Sequence, residues 1–379
     1  MKLSTVTNDV ITSSDFESTT FKIASSEKGL AKIFHIMTTA IYSDRPLAVL
    51  RELSTNAYDA HIEIGKAERP FEWIIPTPFE PTFGIRDYGP GLSHEDCMTL
   101  YITVGESTKD DSNEQVGAFG LGSKAFYAYT DGATVISRHN GQKSTYACFK
   151  GAKGLPEITH YATEPTDEPS GLEVTFPIEA KDTHDFERAA IAVAKGFDVK
   201  PIVKGGTLEF ADETSEMTGD GWKMLKRDYR HGVDKAYAQQ GCVRYRIDAD
   251  ALDLTGTARD IINSPIVIDF PIGSLDVAVR REGLGYNTTT IANIKKRIQE
   301  IEKDIVDQYQ IEIAGATTKW EARKIYYRLS KNASLPEVVR TLLLKRVVWK
   351  GKPITNKVSL DMSKFASLAC SHTTRYDNN

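Results

Sequence analysis

"RELSTNAYDAH", residues 51–61, decides how this chain is read. At about 100° per residue, Leu50, Leu53, Ala57, Ala60 and Ile64 gather on one arc of a helix, and Glu52, Asn56, Asp59 and Glu63 on another. The arcs are centred roughly 100° apart, as in an amphipathic helix. Taken alone, such an E-x-x-x-N-x-x-D is most simply a solvated acidic stripe. Its alternative is a polar face turned inward toward a ligand, and the flanking sequence has to decide between the two. "YSDRP", 42–46, sets the start of the helix: Asp44 suits the N-cap, and Pro46 is tolerated in the first turn.

Two stretches downstream favour the inward face. "RDYGPGLS", 86–93, ends a strand-like run on Asp87 and turns through Gly89 and Gly91, backbone without Cβ atoms that can lie against a flat ligand. "VGAFGLGSKAFYAYTD", 116–131, runs Gly117, Gly120 and Gly122 straight into a helix, where free N–H groups suit phosphate oxygens. It is not the dinucleotide fingerprint, because no βαβ unit precedes it. Nor is it a P-loop, because the G-K-[ST] ending is missing.

The order of these parts is more specific than any one of them. An acid-and-amide helix, then Asp-x-Gly-x-Gly, then a polar loop, then a glycine-rich turn into a helix resembles the GHKL superfamily. That superfamily includes the gyrase B subunit, the ninety-kilodalton heat-shock chaperone, sensor histidine kinases and MutL. The chaperone likeness is carried by "RELSTNAYDA" and "VGAFGLGSKAFYAYTD". With "RREGLGYNTTTIANIKKRI", 280–298, the chain looks most like the bacteriophage rIIA-type proteins.

The resemblance implies an ATP site using Mg²⁺. Glu52 matches the general base that activates water, and Asn56 the amide whose oxygen reaches Mg²⁺, a cation that prefers oxygen ligands. Asp59 supports them. Asp87 matches the aspartate that accepts the adenine amino hydrogen, with Gly89 and Gly91 shaping the adenine pocket. Residues 103–116, "TVGESTKDDSNEQV", match the mobile lid, and Gly117, Gly120 and Gly122 the hinge and phosphate cradle. Lys124 is a candidate phosphate cation, although solvated surface charge is the simpler reading for it and for Lys109. Arg281, with Arg280 as second choice, matches an arginine that reaches back to the γ-phosphate; a surface Arg–Glu pair is the alternative. One departure concerns adenine: the family's Thr after a Gly is replaced in "SGLEV" by Leu172, with Thr175 out of register.

The expected architecture is α+β: a Bergerat-type sandwich of helices on a mixed, mostly antiparallel sheet, followed by an α/β transducer-like second domain. Residues 1–198 form the ATP-binding domain with an N-terminal arm, 199–315 the transducer-like domain, and 316–379 a helical segment and loose tail. Helical spacing runs from Lys28 to Tyr42, through Leu30, Ile33, Phe34, Met37 and Ile41, and helices recur near Asp185–Lys195, across Thr288–Tyr309, and after Thr318. Strand-like runs are "FGIRD", "ATVISRH", "STYACF" and "GLEVTFPI". Ile291, Ile294, Ile298, Ile301 and Ile305 have the spacing of core residues. His35, in an apolar helix without an adjacent acid, reads as packed, which argues against a sensor-kinase phospho-acceptor.

The whole-chain numbers fit a folded protein. Hydrophobic residues at 40% and charged residues at 26% of 379 are near globular averages. A net charge of −5 gives no global pull toward nucleic acid, so the basic, aromatic stretches 223–231 and 342–352 read as solvated faces. Cys97, Cys148, Cys242 and Cys370 form no C-x-x-C pair, which points to free thiols in a reducing cytoplasm. No apolar run reaches membrane-spanning length, which leaves only peripheral membrane association through a partner. The implied function is a nucleotide-controlled clamp or switch: ATP and ADP as ligands, slow hydrolysis, a nucleotide-dependent homodimer, and a link to phage lysis control and exclusion. Two alternatives are a MutL- or gyrase-like DNA-transaction ATPase, for which no nuclease or toprim motif is present, and a nucleotide-binding interaction module with little turnover.

Overall fold

A computed structural model of the chain describes residues 26–36, 38, 42–103, 122–210, 213–229, 233–278, 283–333 and 335–355. The N-terminal arm, Met37, Ile41, the lid beyond Thr103, Gly117, Gly120, Arg280, Arg281 and the C-terminal tail lie outside the described residues.

Helix α1 (Glu27–His35) is capped by the Ser26 side chain, and α2 (Arg45–Glu63) by Asp44, whose carboxylate accepts from Leu47 N at 3.1 Å. Of the apolar positions anticipated in α1, Phe34 is buried while Leu30 and Ile33 are exposed. His35 is also exposed, so the packed histidine expected there is corrected.

Strands β1 (Glu72–Ile74), β2 (Thr82–Arg86), β3 (Gly132–His139), β4 (Gln142–Lys150), β5 (Pro156–Pro165), β6 (Gly171–Pro177) and β7 (Ile202–Lys204) form one sheet, in the order β5-β4-β3-β6-β2-β1-β7. Every neighbouring pair is antiparallel except β1 with β7. Period-two alternation divides its faces. Trp73, Phe83, Ile85, Val135, Val174 and Phe176 are buried on the face covered by α2 and by α4 (Thr183–Ala194). The Trp73 indole donates to Ser54 of α2 at 3.0 Å, and Phe186 of α4 packs on Phe83. The other face carries ion pairs, Glu72 with Lys204 and Arg138 with Glu173, as suits an antiparallel sheet with one wet side. The 7-residue α3 (His94–Leu100) and a 3₁₀ turn, Gly122–Ala128, complete this layer.

A second sheet has the order β11-β10-β12-β9-β8, from β8 (Ser215–Gly219), β9 (Trp222–Leu225), β10 (Tyr237–Gln240), β11 (Val243–Arg246) and β12 (Ile266–Asp269). With it lie α5 (Gly256–Ile262) and the long α6 (Thr288–Ala314), whose Asp304 accepts from the Trp222 indole at 2.8 Å. Helix α6 extends one turn beyond the expected end and buries Ile294, Ile298, Ile301 and Ile305. Helix α7 (Lys319–Lys331) starts in a capping box made by Thr318 and Glu321. Helix α8 (Glu337–Arg346) and the hairpin β13 (Val348–Trp349)–β14 (Lys352–Pro353) end the described chain. The basic stretch 342–352 is therefore half core, since Leu342 and Leu343 are buried while Lys345 and Arg346 are exposed.

The fold is α+β, with helices on a mixed, mostly antiparallel sheet in the GHKL-type arrangement. Among the described residues no helix is long and apolar enough to cross a membrane.

Candidate nucleotide site

Helix α2 is buried nearly all round: Leu50 and Leu53, and also Glu52, Ser54, Thr55, Asp59 and His61. Glu52 is 4% exposed and Asp59 2%, Asn56 is half-buried and Glu63 exposed, so the stripe is turned inward at Glu52 and Asp59 and reaches solvent only at its end. What it meets is the glycine turn. A Cβ placed on Gly122 would lie 3.1 Å from Asn56 Nδ2, 3.2 Å from Asn56 Oδ1 and 3.5 Å from Glu52 Oε2. The missing side chain thus leaves the carboxylate and the carboxamide facing free backbone at the start of the 3₁₀ turn. Arg51 stands beside them, with Nε 3.8 Å from Glu52 Oε1, and its Nη2 is buried without a hydrogen-bond partner among the described residues.

Lys124, two residues on, is 1% exposed, and its Nζ lies 3.4 Å from Ser123 Oγ. The surface-charge reading is corrected: the 3₁₀ turn packs on α2 and carries the lysine into the interior. A buried ammonium needs compensating charge or dipoles around it.

Asp87 follows β2 and is buried. Its Oδ1 accepts from Gly89 N at 2.9 Å and from Leu172 N at 3.1 Å, while its own N–H donates to Leu172 O at 2.9 Å. The departure at Leu172 therefore leaves Asp87 anchored, because the anchor is a backbone N–H that any non-proline residue supplies. Gly171 makes the approach possible: at φ 145°, a Cβ there would come within 2.1 Å of Asp87 O. Thr175 pairs with Gly84 and Thr134, away from this contact. Gly89 and Gly91 also have packing reasons to be glycine. A Cβ on Gly89 would meet Ala60 Cβ at 2.6 Å, and one on Gly91, at φ 69°, would meet Arg138 O at 2.3 Å.

Sequence reading overlooked His61, which ties this turn to α2. Its Nε2 accepts from Tyr88 N at 2.7 Å and its Nδ1 lies 2.8 Å from Arg69 O. Accepting at Nε2 puts the proton on Nδ1, which donates to the carbonyl. Burial lowers the imidazole pKa from its ordinary value, as does the Arg69 charge, against the opposing Arg69 carbonyl bond. Tyr88 is fixed in turn by its hydroxyl to Glu72 at 2.5 Å and by the Arg69 guanidinium 3.7 Å over its ring. The histidine lies within the opening motif, but spacing alone gives no sign that its partner is a backbone amide 27 residues away.

The structure thus sets Glu52 and Asn56 against Gly122, with Lys124 buried two residues on and Asp59 buried on the same helix, and holds Asp87, Gly89 and Gly91 in a turn that meets α2 at Ala60 and, through Tyr88, at His61. Gly117, Gly120 and Arg281 lie outside the described residues. Asn56 Oδ1 and the carboxylates at 52 and 59 are hard oxygen donors, the ligand type Mg²⁺ takes. Among the described residues no three His, Cys, Asp or Glu side chains cluster as a metal site by themselves.

The chain is similar to proteins named chaperone protein HtpG: 25% identical over 178 residues for those of Rhodococcus jostii and Salinispora tropica, and 24% over 179 residues for that of Mycobacterium tuberculosis. Each match covers 41% of this chain and 27% of the relative, so the chain spans about a quarter of the length of the curated relatives it matches. No protein-family model matches the sequence. This distant similarity, to the heat-shock chaperone branch of the GHKL proteins, accords with the fold.

Proposed function

We propose that the chain is a GHKL protein that binds Mg²⁺–ATP, hydrolyses it slowly, and works as a nucleotide-controlled clamp or switch. The observation that carries this reading is the position of Gly122 against Asn56 and Glu52. In it, Glu52 takes the proton of the attacking water, Asn56 holds Mg²⁺, and Asp59 supports both. Asp87 reads the adenine amino group from a carboxylate already oriented by two backbone amides, beside Gly89 and Gly91. Lys124 and the turn at Gly122 cradle the phosphates. Mg²⁺ would supply charge neutralisation at the phosphates. Gly117 and Gly120 in the cradle, Arg281 at the γ-phosphate, and a nucleotide-dependent homodimer are parts of the proposal that rest on the family resemblance alone. The lysis-control role stays with the phage resemblance, since the relatives named above are chaperones.

The test is phosphate release from radiolabelled ATP by the full chain, with nucleotide affinity measured in parallel. Glu52→Ala should bind ATP and lose turnover. Loss of both, or of neither, contradicts the assigned role. A second reading, a nucleotide-binding interaction module with little turnover, is favoured by the Arg51 guanidinium, which competes for the carboxylate that has to accept the proton. A wild-type chain that binds ATP yet releases no phosphate decides for it.

A further inference from the structure

Among the described residues the second sheet reaches the candidate site through the tip of its β10–β11 hairpin. Gln240 pairs with Val243, which leaves a two-residue turn, Gly241–Cys242, with Gly241 at φ 58° as a first-position turn glycine requires. Cys242 is buried between two helices of the first layer. Its Sγ lies 3.7 Å from Thr55 Oγ1 of α2, on the flank of the polar stripe between Glu52 and Asp59. Its carbonyl presses on the end of α4, where a Cβ added to Gly196 would come within 1.9 Å of Cys242 O and 2.9 Å of its carbonyl carbon. Phe197 extends the joint, edge-on to the Tyr58 ring of α2 at 5.6 Å. Lys200 stiffens it by donating to the Ala194 and Phe197 carbonyls at 2.9 and 2.6 Å.

Close packing of this kind transmits displacement, because a filled interior cannot absorb a shift of an ångström. We propose that the Gly241–Cys242 turn is a positioning element for Glu52: seated between Gly196 and Thr55, it fixes the roll of α2 and thereby the aim of the carboxylate. Cys242 and Gly196 act through α2 and touch no substrate. The proposal rests on the ATPase reading and adds to it the place through which the second sheet governs turnover. In that reading adenine and phosphate contacts come from Asp87 and the Gly122 turn, whereas the hairpin's contacts are with Thr55 and Gly196, so unseating it lowers kcat and leaves ATP affinity in place.

Gly196→Ala and Gly196→Val grade the clash, and Cys242→Ala removes the Thr55 contact without adding bulk. Expected is a stepwise fall in kcat, about tenfold for Gly196→Val, as misplacing a reacting group by a fraction of an ångström produces, with the ATP dissociation constant within about threefold. Cys242→Ala should lower kcat about threefold, also at unchanged affinity. Burial pushes the Cys242 thiol up to about 12, so at pH 8 alkylation of its peptide, followed by mass spectrometry, reports unseating directly. It should quicken in the same order as kcat falls.

A Gly196→Val chain with quickened alkylation and wild-type kcat overturns the inference. So does a loss of affinity that parallels the loss of kcat. If Gly196→Val does not fold, wild-type kcat in Cys242→Ala overturns it equally. Wild-type protein that releases no phosphate removes the ATPase reading instead, and the two failures are told apart by that control.

Discussion

Helices α2 and α6 are both amphipathic in sequence, and they use the pattern in opposite ways. In α6 the stripe of Ile294, Ile298, Ile301 and Ile305 is buried, and charges such as Lys296 and Glu300 look out to water. In α2, Leu50, Leu53 and Ala57 of the apolar arc are buried, and so are Glu52 and Asp59 of the polar arc. Packing accounts fully for α6. Packing alone does not account for α2, because a buried carboxylate needs a compensating partner, which for Glu52 includes the Arg51 guanidinium at 3.8 Å. The contrast is between a stripe that fills space and one that carries charge inside.

Two substitutions test that contrast. Glu52→Ala should lower turnover about 10²–10⁴-fold, the range for removing a general base, while the melting temperature holds or rises. Ile298→Ala should do the reverse, destabilising the fold by about 2–5 kcal/mol with unchanged turnover per folded molecule. Both are read by pairing thermal melts with phosphate release. If Glu52→Ala instead lowers stability as Ile298→Ala does, the carboxylate is structural and the contrast disappears.

The two glycine turns differ in a similar way, and a smaller effect separates them. Gly89 and Gly91 have protein backbone or Ala60 where a Cβ would go, whereas Gly122 has the polar ends of Asn56 and Glu52. Gly122→Ala should lower Mg²⁺–ATP affinity about fivefold, near 1 kcal/mol, at a nearly unchanged melting temperature. Gly91→Ala should mainly destabilise, since its φ of 69° and the Arg138 carbonyl both oppose a side chain. Calorimetric ATP titration beside a melt distinguishes them. Equal loss of affinity in both would mean that Gly122 is no more a ligand-facing residue than Gly91.

Legibility in the sequence followed the same division between local and non-local chemistry. The span of α2, its Asp44 cap, the Ile stripe of α6 and strands β2, β3, β4 and β6 were legible because periodicity and capping are local. Strand β5 was not, because it is an edge strand whose outer flank is solvent and whose residues do not alternate in burial. Nor were β1 and β7, each 3 residues long, or α3 at 7, since elements that short carry too few periods to detect. In the candidate site, Glu52, Asn56, Asp59 and Asp87 stand out from motif order, and Glu52, Asp59 and Asp87 are buried. The burial of Lys124, the backbone anchor at Leu172, and the Cys242 wedge depend on parts of the chain far apart in sequence, which spacing does not encode. His61 belongs to that second group.

His61 gives the smallest predicted effect and the most direct check on whether α2 and the Asp87 turn form one unit. Its folded pKa lies below the ordinary 6.5 because burial disfavours the imidazolium, and protonation would also remove the lone pair that accepts from Tyr88 N. In the window between the depressed folded value and 6.5 the unfolded chain holds the extra proton, so stability rises with pH there. The contribution is fully present above 6.5 and is lost as pH falls through the folded value. Melting temperatures from pH 8 to 5 should therefore drop more steeply in wild type than in His61→Gln, whose side-chain oxygen can still accept but cannot titrate. The carboxylates and the remaining histidines contribute equally to both profiles, so the difference isolates this one ring. ATP affinity should follow the same difference, because loosening Tyr88 N frees the residue next to Asp87. Parallel profiles would mean that the turn keeps its place without the histidine, leaving the Gly89–Ala60 contact to join it to α2.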